Sequence, residues 1–130
     1  MGTLIAIGLI YVSFRIVDRV VRMFRARAAG PGWWALLAVL MVTGVGLGIW
    51  LAFYFEYQPS PRRRVASFPL PIAVFVWEED RWTDFVTPTH SAYTAAVANI
   101  CVTVAAFVAP LLAVFAFLHR RTSTSADSRR

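Results

Sequence analysis

Between Trp33 and Phe55 the chain reads WWALLAVLMVTGVGLGIWLAFYF, 23 residues without a charge, and between Tyr93 and Leu118 it reads YTAAVANICVTVAAFVAPLLAVFAFL, again without one. As a helix even the shorter run reaches about 34 Å, against about 30 Å of hydrocarbon in a bilayer. In water both runs would have to be buried completely, and a chain of 130 residues has too little interior to do so. Hydrophobic residues make up 58% and charged residues 15%, where soluble domains hold about 45–50% and about 25%. The expectation is one all-α transmembrane domain in which both runs are membrane helices. Trp33 and Trp34 open the first and Tyr54 and Tyr57 close it, as interfacial aromatics do.

The first 28 residues leave two readings open. Met1 to Val17 is apolar apart from Arg15 and only about 17 residues long, the lower limit for a span. Arg15 could snorkel toward headgroups, and Asp18 stands at helical pairing distance from Arg15 and Arg22; a third membrane span is the favoured reading. The alternative is an interfacial helix with Ile16, Val17, Val20, Val21 and Phe24 dipping into lipid. In both, Arg15, Arg19, Arg22, Arg25 and Arg27 face lipid, so membrane lipids are expected partners. The sequence AAGPG then closes the element. The start of the chain lacks a basic n-region and a clear cleavage site, so it reads poorly as a signal peptide.

The net charge of +6 comes from arginine alone among basic residues. Because the arginines crowd beside apolar spans, they suit headgroups rather than nucleic acid. Residues 15–27 carry five, the tail 119–130 carries four, and the loop 56–92 carries four. Nine against four puts the terminal basic segments in the cytoplasm and the loop outside, as in the inner membrane of a bacterium, although Arg62–Arg64 count the other way. The tail, small and polar, is expected to be disordered.

The loop holds the chain's other pattern. Prolines at 59, 61, 69 and 71 disfavour helix and keep the approach extended. Residues 72–77 and 82–87 are rich in β-branched and aromatic side chains, and EEDR between them is a polar turn. This predicts an extracytoplasmic β-hairpin with apolar residues on both faces, among them Ile72, Val74, Phe75, Trp77, Trp82 and Phe85. A lone hairpin of this kind is marginal in water, so it reads as a docking element needing lipid, a second copy or another protein beside it.

Small residues recur at Gly44, Gly48 and Ala52, and at Cys101, Ala105, Ala109 and Ala113, spacing that allows close helix approach in lipid. Antiparallel packing within the chain would oppose Ala52 to Cys101, Gly48 to Ala105 and Gly44 to Ala109; dimerisation through one stripe is the competing use. Pro110 removes a hydrogen bond to Ala106 and is expected to kink its helix. Asn99 and Thr103, one turn apart, are expected to bond backbone or another helix.

No motif points to chemistry. One cysteine, Cys101, excludes an intrachain disulfide. Glu78, Glu79, Asp80 and Asp84 lack the spacing and glycine of a calcium loop, and His90 and His119 would stand about 43 Å apart on one helix. Asp84, His90 and Ser91 lie in no nucleophile motif. Neither cofactor nor metal is expected. The chain reads as a non-enzymatic accessory or assembly subunit of a membrane complex, with a homo-oligomeric pore or small transporter as the alternative.

Overall fold

The computed structural model describes the backbone of residues 2–86 and 89–127, and the side chains of those residues except 84–91 and 119–127. Helix α1 runs Gly2–Ala26, α2 Pro31–Phe53 and α3 Thr89–Asp127; strands β1 (Glu56–Ser60), β2 (Arg63–Ala66), β3 (Ala73–Glu78) and β4 (Arg81–Val86) lie between α2 and α3. Two segments, Pro31–Phe53 and Ala92–Leu118, are long and apolar enough to cross a membrane.

Helix α2 starts with Pro31 in its first turn, where the missing N–H would be unpaired anyway. Its buried face is Leu37, Gly44, Gly48 and Ala52. At Gly44 an added Cβ would stand 2.8 Å from Val104 Cα, and at Gly48 2.8 Å from Ile100 Cα. The two helices are therefore antiparallel and nearly backbone to backbone. Spacing alone opposed these glycines to Ala109 and Ala105; they meet residues five positions earlier on α3. The physical reason is rotational. An i, i+4 row turns by about 40° at each step, so the row beginning at Cys101 leaves the interface. Ala105 is buried, Ala109 half-buried and Ala113 exposed, while Ile100 and Val104 fill the glycine hollows.

Helix α3 packs along both other helices. On α1 the residues turned inward are Ala6, Ser13, Val20 and Phe24, a row repeating every seven residues with one further turn. Val20 and Phe24 join Leu37, Val104, Val108, Leu111 and Phe115 in the core. Phe24 lies 4.9 Å from Phe115 and 5.9 Å from Trp33, ring to ring, and Phe115 lies 5.0 Å from Trp33. Helix α1 thus runs parallel to α3. Val20 and Phe24, which an interfacial helix would give to lipid, are both 0% exposed within the bundle.

The loop forms a four-stranded antiparallel meander in the order β1-β2-β3-β4. The predicted hairpin is its second half, with strands at 73–78 and 81–86 rather than 72–77 and 82–87. Glu79 and Asp80 alone turn the chain, both at positive φ (48° and 60°), the primed turn that matches strand twist. The company this hairpin needs is intrachain: Arg63–Ala66 pairs with Val76–Ala73, and Glu56 and Tyr57 pair with Ala66 and Val65. The prolines had hidden these two strands. Pro59 sits in β1, an edge strand whose register shifts between Tyr57 and Ser60, and an edge or bulge is where a sheet tolerates proline. Pro61 and Arg62 make the turn before Arg63. At the other end of the chain, α3 continues through Pro110 and on to Asp127, so the tail to that point is helical rather than disordered. A long helix propagates by adding one bond per residue fixed.

Candidate functional site

Two places concentrate polar chemistry. The first joins the sheet to the helices. In the stretch Ser67-Phe68-Pro69-Leu70-Pro71 only Leu70 offers an N–H among its last three residues, and a residue before proline is held extended. Extended backbone turns its N–H and C=O to the same side. Asn99, 0% exposed on α3, answers both: Leu70 N donates to Asn99 Oδ1 at 2.9 Å, and Asn99 Nδ2 donates to Leu70 O at 2.9 Å. The same Nδ2 also donates to Ser67 Oγ. Ser67 is buried and takes a φ of 82°. Two backbone bonds add to the clamp, Ser67 N to Phe55 O at 2.8 Å and Phe68 N to Leu51 O at 3.3 Å. Asn99 is seven residues into Ala92–Leu118, about 10 Å along the helix, so the loop dips between α2 and α3. The irregular backbone of this loop is covered by both helices at the clamp. Thr103 Oγ1 donates to Asn99 O at 2.7 Å, an i−4 bond within α3.

Above the clamp the sheet carries the aromatics singled out in the sequence. Trp77 and Trp82 are cross-strand partners, edge to face at 5.1 Å. Phe75 is paired with Arg64, and Arg64 bonds Glu56 at 2.9 Å across the same face. Val74 and Val76 face the opposite way with Val65 and Arg63. Ile72 is half-buried and donates its N–H to Ala66 O at 3.0 Å, closing the loop. Trp77 remains 38% exposed; the side chain of Phe85 lies outside the described residues.

The second place is the charged face of α1. Asp18 borders a cleft of about 400 Å³ between α1 and α2, floored by Ile100, Cys101 and Val104 and walled by Met41 and Val45. The midpoints of Pro31–Phe53 and Ala92–Leu118 are Val42 and Ala105. Asp18 therefore stands level with the middle of both apolar segments, and Arg15 is one turn nearer the N-terminus. Asp18 pairs with Arg22. Among the described residues no acidic side chain pairs with Arg15 or Arg19. Arg25 and Arg27 are exposed at the end of α1 and in the turn after it. Sequence reasoning named these residues but not their depth, since the depth depends on how α1 lies against α3.

Among the described residues no group of three His, Cys, Asp or Glu side chains could hold a metal ion. Cys101 is free and half-buried. His90, Ser91, His119 and the side chain of Asp84 lie outside the described residues. No protein-family model, curated protein or solved structure matches the chain.

Proposed function

We propose that this chain is a multi-pass membrane protein acting as a non-enzymatic accessory or assembly subunit of a membrane complex, with its sheet as the docking element. The observation that carries the reading is the Asn99 clamp. It ties the sheet to both apolar helices, while among the described residues no strand lies beside the outer edges of β1 and β4 and Tyr57 and Trp77 stay exposed. A rigidly held surface loses little entropy when a partner covers it. The membrane part of the reading is supported by the outer faces of the helices, where Leu4, Phe14, Val42, Phe53 and Phe117 are each more than half exposed. Water-soluble proteins rarely leave so continuous an apolar surface open. Arg25 and Arg27 lie exposed at the end of the bundle away from the sheet, which favours a cytoplasmic side there with the sheet outside.

The test is crosslinking in intact membranes with a photoreactive residue at Phe75 or Trp82. Capture of a different protein is expected; capture of lipid alone, or a clean monomer from mild detergent, would overturn the reading. The alternative, a homo-oligomeric pore, would need polar side chains such as Asn99 and Thr103 free to line a path. Their polar groups bond within the chain, so they lend that alternative no support.

A further inference from the structure

We propose that the groove between α1 and α3 binds an anionic phospholipid, its phosphate held by Arg15, Arg19 and Arg22 and an acyl chain lying along Val12, Ile16 and Leu112. These six residues line a groove of about 430 Å³, within the size range of small-ligand sites. Five of them, Val12, Arg15, Ile16, Arg19 and Arg22, fall at i, i+3, i+4, i+7 and i+10, which is one helical face. The sixth, Leu112, comes from α3.

Charge selects the occupant. Three arginines against the single carboxylate of Asp18 leave 3 − 1 = +2 on this face. Among the described residues Asp18 pairs with Arg22, and it borders the other cleft, the one between α1 and α2. Guanidinium groups match phosphate oxygens with paired N–H donors. Their position beside two apolar segments makes bare charge costly there; snorkelling stems and local thinning of the bilayer bring a lipid phosphate onto them, which relieves that cost. The apolar half of the groove continues into the exposed side chains of Leu4, Ile5 and Tyr11 and suits a chain rather than a free anion. An acidic membrane helix from another protein would meet the charge but leave this amphiphilic division unused.

The full-length chain in neutral detergent would be titrated with phosphatidylglycerol and with phosphatidylcholine of the same chain length, and bound lipid counted by native mass spectrometry. Phosphatidylglycerol is expected to be preferred. Arg15→Gln with Arg19→Gln should weaken it about a hundredfold, about tenfold for each charge-assisted hydrogen bond to phosphate that is lost. Arg25→Gln with Arg27→Gln removes the same charge at the exposed end of α1, outside the groove, and should lower the preference less than the groove variant does. Equal losses in the two double variants, equal binding of both lipids, or displacement by millimolar inorganic phosphate would each overturn the proposal. Should the first double variant fail to fold, Leu112→Trp fills the groove from the α3 side without altering charge. It must lower phosphatidylglycerol binding, and unchanged affinity would refute the site. A photoreactive residue at Ile16 that captures protein instead of lipid in membranes would do so as well.

Discussion

Replacing Asn99 by alanine would remove three hydrogen bonds at once, two to Leu70 and one to Ser67. Each such bond contributes about 1 kcal/mol net, and a buried group left without a partner costs about 1–3 kcal/mol. The clamp should therefore weaken by about 3 kcal/mol. The loss is local, because the close approach of α2 to α3 is made at Val104 and Ile100, whose contacts do not depend on the Asn99 amide. Its readout can be local too. Leu70 carries the only amide hydrogen in Pro69-Leu70-Pro71, and that hydrogen points at Asn99 Oδ1. Amide exchange at Leu70 should accelerate about a hundredfold in Asn99→Ala, a factor of ten for each 1.4 kcal/mol, while amides of α2 near Gly44 keep their protection. Asn99→Asp sharpens the test. A carboxylate still accepts from Leu70 N–H, yet it has nothing to donate to Leu70 O and faces that oxygen with negative charge. It should release the loop despite its near-identical shape. Unchanged Leu70 exchange in a folded Asn99→Ala variant, or full tolerance of Asn99→Asp, would show that shape rather than hydrogen bonding holds the sheet, and the reasoning would fail.

Three other outcomes follow from the geometry. Gly44→Ala or Gly48→Ala sets a methyl 2.8 Å from an α3 Cα and should destabilise by about 1–3 kcal/mol through overpacking; Gly46→Ala, with nothing within 4 Å, should be neutral or stabilising, and thermal denaturation in detergent ranks the three. Glu79→Asn with Asp80→Gly matches the positive φ at both turn positions and should raise the melting temperature by the equivalent of about 1 kcal/mol. Because α1 runs parallel to α3, the N-terminus lies at the sheet end of the bundle, so in intact cells a cysteine at Gly2 and one at Glu79 should react alike with an impermeant thiol reagent in a Cys101→Ala background.

What could be read from the sequence divides along a physical line. The two apolar helices were legible because an uncharged run of that length has few other fates, and their ends differ only by the aromatic belt. Trp33 and Phe55 marked the belt, whereas the helix begins at Pro31 and ends at Phe53. The β3-β4 hairpin was legible from side-chain type, with its turn read two residues too long. Strands β1 and β2 were not, since Pro59, Pro61 and three successive arginines argue locally for a loop, and only pairing with β3 overrides them. Asn99 stood out as a polar residue in an apolar run. Its partners lie 29 and 32 residues earlier, and nothing local announces a contact of that separation.

The charged half of α1 shows the same limit in its strongest form. Composition placed Arg15, Asp18 and Arg19 near the end of a marginal span, where snorkelling would settle them cheaply. Packing of Val20 and Phe24 against Leu37, Val108 and Phe115 moves that end. It carries α1 down the bundle until Asp18 borders Met41, Val45 and Cys101, beside the midpoints of both apolar segments. A core contact at one end of the helix thus decides how far charge sits from water at its middle. In the membrane reading proposed above, the Phe24 cluster and the arginine groove are one energetic unit: burial of Phe24 would hold charge where an apolar solvent disfavours it, and an anionic ligand on Arg15 and Arg19 would in turn stabilise the docked position of α1.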